Sequence, residues 1–134
     1  MLTLSVTSRK REELIDITQD VQDMVSEKSW GEGALLLYCP HTTGAVTVNE
    51  GADPAVARDI AVNLGKLIPH KDDYRHAEGN SDAHIKSSLT GCGQLLPVSG
   101  GEVRLSTWQR VFFCEYDGPR SRRLWVQWLP GEDG

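Results

Sequence analysis

Four strand-length segments follow one another in the last third of the chain, with no helical pattern between them. They span residues 95–98, 103–106, 108–116 and 124–129. Antiparallel strands are joined by short turns, whereas parallel strands need long crossovers that are usually helical. The pattern therefore predicts a mainly antiparallel arrangement of these strands in meander order, with a hairpin turn at residues 99–101.

The first half of the chain alternates between strand and helix patterns. Residues 2–6 alternate apolar and polar side chains, and residues 14–17 have the length of a second short strand. Thr18 is positioned to cap a helix that ends near Trp30. Residues 34–39 and 44–48 predict two further strands, which we expect to pair around the connection at residues 39–43.

Two more helices are predicted in the centre of the chain. Asp53 followed by Pro54 is a strong helix start, because aspartate caps free backbone N–H groups and proline needs no donor in the first turn. This helix is expected to end near Leu67, and a shorter one to run from Asp82 to Leu89. Together the elements predict an α+β fold, a two-sheet, mainly antiparallel β-sandwich with a few helices, as one domain over residues 1–134.

Composition narrows the classes of function. A chain of 134 residues with 39% hydrophobic residues can bury a core without a structural metal or disulfides as staples. Its formal net charge of −5 argues against nucleic acid or an anionic membrane as a partner. Three widely separated cysteines, no signal-peptide pattern and no membrane-length apolar run favour a cytoplasmic protein with free thiols.

A polar segment between the second and third helices is the strongest candidate for function. Residues 70–81 contain almost no aliphatic side chains, and loops of this length in compact domains usually carry function. The turn Gly79-Asn80-Ser81-Asp82 leads into a helix whose free N–H groups favour an anion. Arg75 and Lys86 would add charged donors for a phosphate. The alternative is a solvated loop with an ordinary helix cap.

Three histidines lie in or beside connections rather than within strands. His41, His76 and His84 would suit zinc or a similar divalent ion with one coordination position left open. The alternative is that these histidines are surface residues or hydrogen-bonded core donors. His70 follows Pro69 at a helix end and is interpreted as structural.

Carboxylates near these segments are candidates for acid–base chemistry. Asn49 and Glu50 end a predicted strand, where Glu50 would act as general base or simply be a turn residue. Asp82 would cap its helix, orient His84 or bind a metal ion directly. Glu115 and Asp117 share one strand face, and they are equally expected to pair with nearby arginines at positions 120, 122 and 123.

Several of these motifs together resemble one known family. The segments that carry the resemblance are His41-Thr42-Thr43, Asn49-Glu50, Ala52-Asp53-Pro54, the continuous run from Tyr74 to Gly91, Thr107-Trp108-Gln109, and Glu115-Tyr116-Asp117-Gly118-Pro119-Arg120. The chain resembles the secondary thiamine-phosphate synthase family, also called the YjbQ-like family, over nearly its full length. The resemblance implies a small sandwich that assembles as a homotrimer, with a histidine-bound metal near the loop and weak thiamine-phosphate synthase activity.

The resemblance gives the predicted sites a substrate class. A thiamine-phosphate synthase joins a pyrimidine pyrophosphate to a thiazole phosphate, so it needs groups that stabilise the departing pyrophosphate. The expected assignment is Glu50 and Asp82 as catalytic residues and His41, His76 and His84 as zinc ligands. The expected substrate-binding residues are Asn49, Arg75, Asn80, Ser81 and Lys86. Two alternatives stay open, a metal-dependent hydrolase and a non-catalytic binding module for a phosphorylated metabolite.

Overall fold

Two antiparallel sheets face each other in the computed structural model, which describes residues 1–132. Within that range the strands are β1 (Leu2–Thr7), β2 (Glu13–Asp16), β3 (Gly33–Tyr38), β4 (Gly44–Glu50), β5 (Gly93–Ser99), β6 (Glu102–Val103), β7 (Gln109–Glu115) and β8 (Ser121–Pro130). The helices are α1 (Thr18–Glu27), α2 (Pro54–Leu67) and α3 (Ser81–Thr90). The predicted α+β sandwich is thereby confirmed, while residues 133 and 134 of the predicted domain lie outside the described residues.

Strand pairing differs from the prediction in two places. The larger sheet has the order β1-β8-β3-β5-β6, and the smaller sheet has the order β2-β7-β4. The predicted pairing of β3 with β4 is wrong, because the chain crosses between the sheets at residues 39–43. The meander is wrong beyond the β5–β6 hairpin, since β7 lies between β2 and β4, and β8 lies between β1 and β3.

The main core lies between the two sheets. Leu35 and Leu37 of β3 face Val46 of β4 and Phe113 of β7, and all four side chains are inaccessible to solvent. Alternate residues of each strand point to this layer, as the period of two requires. Helix α1 adds Val21 and Val25 to the same core.

Helices α2 and α3 pack on the outer face of the smaller sheet. Ala83 of α3 and Leu64 of α2 contact a second cluster that contains Ala45 and Cys114. The predicted cap of α2 is confirmed, because the Asp53 carboxylate accepts the N–H of Ala55 at 2.9 Å. Helix α1 begins one residue earlier than predicted, with Ile17 at its N-cap.

The outer face of the larger sheet has no helix over it within the described residues. Tyr38 and Trp125 are opposite one another in the β3–β8 register, and their rings stack with centroids 5.9 Å apart. Leu95 is 62% exposed and lies in the same sheet. This face is therefore an apolar surface, in contrast to the covered face of the smaller sheet.

No helix among residues 1–132 is both long enough and apolar enough to cross a membrane.

Candidate functional site

A cleft of about 530 Å³ opens between the polar loop and the first turns of α3. Its lining residues are Asp73, Tyr74, Arg75, His76, Ser81, His84 and Ile85. The loop runs directly into α3, so a short stretch of sequence supplies the whole lining. The segment singled out from the sequence therefore forms a real concavity.

Two contacts hold the loop in place. The Tyr74 hydroxyl donates to the carbonyl of Pro69, and Nε2 of His70 lies 2.9 Å from the carbonyl oxygen of Gly79. Gly79 has a φ of 74°, a conformation that glycine adopts without strain. The placement of His70 agrees with its predicted structural role.

Two of the three predicted metal ligands are adjacent. The rings of His76 and His84 have centroids 5.4 Å apart and are nearly perpendicular. His76 is partly exposed, with its Nε2 atom 3.7 Å from a Glu78 carboxylate oxygen. The two rings are therefore neighbours, and each imidazole is a ligand type that zinc accepts.

The third predicted ligand, His41, is engaged elsewhere in the chain. Its Nε2 atom accepts the backbone N–H of Arg123 at 3.0 Å, and its ring packs edge-on against Phe113. Burial and the charge of Arg122 lower the pKa of His41, which favours the neutral ring that this hydrogen bond requires. Within residues 1–132, no three His, Cys, Asp or Glu side chains are grouped to hold a metal ion, so one chain does not assemble the predicted three-histidine site.

The N-terminus of α3 faces the cleft through Ser81. Asn80 is the N-cap residue, but its side chain makes no capping bond and instead donates to Asp117 at 2.8 Å. Arg75 lines the cleft and forms no ion pair with the carboxylates of the described residues. Free helix N–H groups beside a guanidinium suit an anion, as the sequence predicted for this turn.

Lys86 is not part of the cleft, which corrects its predicted role as a phosphate donor. Its side chain is 1% exposed and its ammonium contacts the carboxylates of Glu12 and Asp82. Arg11 completes the cluster with two bonds of 3.1 Å to Asp82. Two cations and two anions balance here, so we call Arg11, Glu12, Asp82 and Lys86 the buried ion cluster.

Asp82 belongs to the same cluster and does not cap α3 as predicted. Its carboxylate is inaccessible to solvent. Burial alone would raise its pKa, but hydrogen bonds from Arg11 and Lys86 outweigh this effect, and the pKa is lowered overall. A fully paired anion is a poor general base, because both of its oxygens already accept charged donors.

Asn49 and Glu50 lie away from the cleft lining. The side chain of Asn49 accepts the N–H of Glu50, and a carboxylate oxygen of Glu50 accepts the N–H of Asp53 at 3.0 Å. These contacts stabilise the turn between β4 and α2. The sequence allowed Glu50 to be a general base or a turn residue, and these contacts support its role as a turn residue.

A second buried charge pair lies next to His41. Glu115 and Arg122 are 0% and 5% exposed, and the carboxylate also accepts the Ser8 hydroxyl at 2.7 Å. Arg122 donates in addition to the side chain of Thr43 at 2.9 Å. From the sequence, an ion pair with a nearby arginine was one of two interpretations of Glu115. The spacing did not predict which arginine the fold would place beside it.

The comparisons with known proteins agree on one family. The model of the family described as UPF0047 protein YjbQ-like matches residues 2–131. UPF0047 protein MJ1081 of Methanocaldococcus jannaschii is 48% identical over 91% of this chain and 88% of its own. UPF0047 protein YugU of Bacillus subtilis is 43% identical over 95% of this chain and 97% of its own.

A solved structure agrees with the fold as well. The crystal structure of a YjbQ/UPF0047 family protein from Clostridium acetobutylicum superposes with a TM-score of 0.93 at 44% identity. The match covers 96% of this chain and all of that one. The names of these three relatives state a family, and none of the three states a substrate or an activity.

Proposed function

We propose that this chain, which belongs to the UPF0047 YjbQ-like family, binds a phosphorylated small molecule in the cleft between the polar loop and α3. The observation that carries the proposal is the convergence of His76, His84 and Arg75 with the N-terminus of α3. Each contributes a group that recognises phosphate directly or through a cation.

The proposal assigns binding roles to the cleft residues. Arg75 pairs with the phosphate, and the N–H groups of Ser81 and Asp82 donate hydrogen bonds to its remaining oxygens. Asn80 holds the turn against Asp117, so that the helix start keeps its orientation toward the cleft. The buried ion cluster neutralises Asp82, which would otherwise repel an anion at this helix end.

We further propose that His76 and His84 hold a divalent metal ion, zinc by their donor chemistry. A zinc site of the catalytic type takes three protein ligands, so the third must come from outside this pair, from a second copy or from the bound molecule itself. When bound, such an ion supplies positive charge that stabilises phosphate or pyrophosphate oxygens.

The activity that we propose is a weak transfer reaction of the thiamine-phosphate synthase type, in a cytoplasmic homotrimer. It requires a site for a leaving pyrophosphate and a second site for a phosphate, and the cleft offers cationic and helix N-terminal donors for these groups. The apolar outer face of the larger sheet supports the homotrimer.

Phosphate binding is tested with two matched variants of the loop. Arg75→Ala removes the guanidinium that lines the cleft, whereas Lys71→Ala removes an equal charge from the same loop outside the lining. Calorimetric titration with inorganic pyrophosphate should give an affinity at least about tenfold lower in Arg75→Ala, because a charge-assisted bond contributes about 1.5–3 kcal/mol. Equal affinities in the two variants would contradict the anion site.

Measuring the release of pyrophosphate distinguishes the proposed transferase from a hydrolase and from a binding module without catalysis. Incubation with a pyrimidine pyrophosphate and a thiazole phosphate should release pyrophosphate only when both substrates are present. Release from the first substrate alone would identify the hydrolase, and binding without release would identify the binding module. Glu50→Gln should keep the wild-type rate, since Glu50 stabilises a turn outside the cleft.

A further inference from the structure

Two of the three cysteines occupy opposite positions at one end of the larger sheet. The β3–β5 register pairs Gly33 with Val98 and ends with Tyr38 opposite Gly93. One step further, the same register places Cys39 opposite Cys92. The backbone confirms this continuation, because the N–H of Cys39 donates to the carbonyl of Cys92 at 2.7 Å.

The alternation of side chains along β3 and β5 places Cys39 and Cys92 on the same face of the larger sheet. Leu35, Leu37 and Cys39 point to the core between the sheets. On β5 the side chain of Gln94 points to the same layer, where it contacts the carbonyl of Val46. Cys92 precedes Gln94 by two residues and lies one position before β5, so the alternation, continued past the end of the strand, places it on the same face.

The spacing suits a disulfide bond. Directly opposite residues in a hydrogen-bonded antiparallel pair have Cα atoms about 5.5 Å apart. Disulfide bonds span Cα distances of about 4.4–6.8 Å, and the typical spacing of opposite residues lies within this range. Both thiols are free in this structure.

The two thiols differ in access. Cys39 is 2% exposed, whereas Cys92 is exposed to solvent. An oxidant therefore reaches Cys92 first, and the strand register places Cys39 opposite it. This pairing of one accessible and one buried thiol is the arrangement of an attacking and a resolving cysteine.

We propose that Cys39 and Cys92 form a reversible modification site that low-molecular-weight disulfides convert to an intramolecular disulfide. The Cys92 thiolate attacks the small disulfide, forms a mixed disulfide and releases one small thiol. The Cys39 thiolate then attacks Cys92 and releases the second small thiol. Two protein thiols lose their protons and two electrons, and the small disulfide gains both to become two thiols.

The bond would join two connections that lead to predicted site residues. Cys39 lies two residues before His41, and Cys92 follows the C-terminus of α3, whose first turn carries His84. The link would hold the end of α3 to the crossover between the sheets. Cys114 takes no part, because it is buried in the other cluster, on the opposite face of the smaller sheet.

The test treats the full chain with oxidised glutathione and then counts free thiols after denaturation. Wild type should fall from three free thiols to one, with a Cys39–Cys92 peptide in the mass map, and dithiothreitol should restore all three. In Cys92→Ser, the two remaining thiols, those of Cys39 and Cys114, should both stay free. Cys39→Ala should stop at the mixed disulfide and carry one glutathione on Cys92.

Two results would overturn the proposal. In one, wild type retains a stable glutathione adduct on Cys92 while Cys39 stays free. In the other, Cys92 links to Cys92 of a second copy. Cys92→Ser changes an exposed side chain, so its fold is expected to be intact and its thiol count remains informative even if Cys39→Ala fails to fold.

Discussion

At the scale of single residues, Glu115 and Arg122 form a buried, hydrogen-bonded ion pair beside the crossover. Burial alone would raise the pKa of Glu115, but hydrogen bonds from Arg122, Ser8 and the backbone of Asp117 lower it below its ordinary value of 4.5. A carboxylate with a lowered pKa stabilises the fold above the pKa of the unfolded chain, and this contribution is lost as the pH falls through the folded value.

Glu115→Gln should lower the unfolding free energy by about 3 kcal/mol or more at pH 7, because it leaves the Arg122 charge buried without an anion. Urea denaturation at pH 7 and at pH 4 measures the effect. The difference in unfolding free energy between wild type and variant should be smaller at pH 4 than at pH 7, since below the unfolded pKa of 4.5 the wild-type carboxylate begins to lose its contribution. Glu102→Gln is the control, because its pair with Arg104 is exposed and should change stability by less than about 1 kcal/mol. A gap that widens in acid would contradict this account.

At the scale of elements, the stability of α2 depends more on the capping of its ends than on burial of its side chains. None of its residues is fully buried, and Asp53 caps its first turn. Asp53→Ala should therefore lower the unfolding free energy by about 1 kcal/mol, measured by chemical denaturation. Asp59→Ala, on the exposed side of the same helix, should change it by less than about 0.5 kcal/mol. Equal effects of the two substitutions would show that the cap contributes nothing specific.

The elements also show which features a sequence can predict. The bounds of α2 follow from Asp53, Pro54 and Pro69, which act locally, and they agree with the structure to within a residue. The alternation of apolar and polar residues predicts which face of a strand is buried, but it does not predict which strand lies beside it. A strand with one apolar face can pair with any neighbour that shares its register. The expected β3–β4 hairpin was wrong for this reason.

The same distinction holds for the candidate site. Arg75, His76, Ser81 and His84 come from one short segment, so the sequence predicted their proximity. The partners of Lys86 and Asp82 are Arg11 and Glu12, roughly seventy residues earlier, and only the fold brings them together. His41 likewise finds its partner, the N–H of Arg123, through long-range strand order.

At the scale of the whole molecule, the open face of the larger sheet is expected to be the contact between copies. Leu95→Lys should convert the proposed trimer to monomers, because a charge would be buried against an apolar neighbour. Light scattering at micromolar concentration measures the mass. Leu89→Lys is the matched control, since Leu89 is 61% exposed but lies on α3, away from this face. A monomeric wild type, or dissociation by both variants, would contradict the assignment.

Zinc titration of the chelator-treated protein tests most directly whether the cleft binds a divalent ion through His76 and His84. We predict that wild type and Lys71→Ala bind zinc alike, since Lys71 belongs to the same loop but lies outside the cleft lining. His84→Ala should bind zinc more than about 100-fold more weakly than wild type. Removing a residue that only supports a metal ligand already lowers metal affinity about 10–100-fold, and His84 is proposed to be a ligand itself. Equal zinc affinity in wild type and His84→Ala would contradict the account, as would a wild type that binds no zinc.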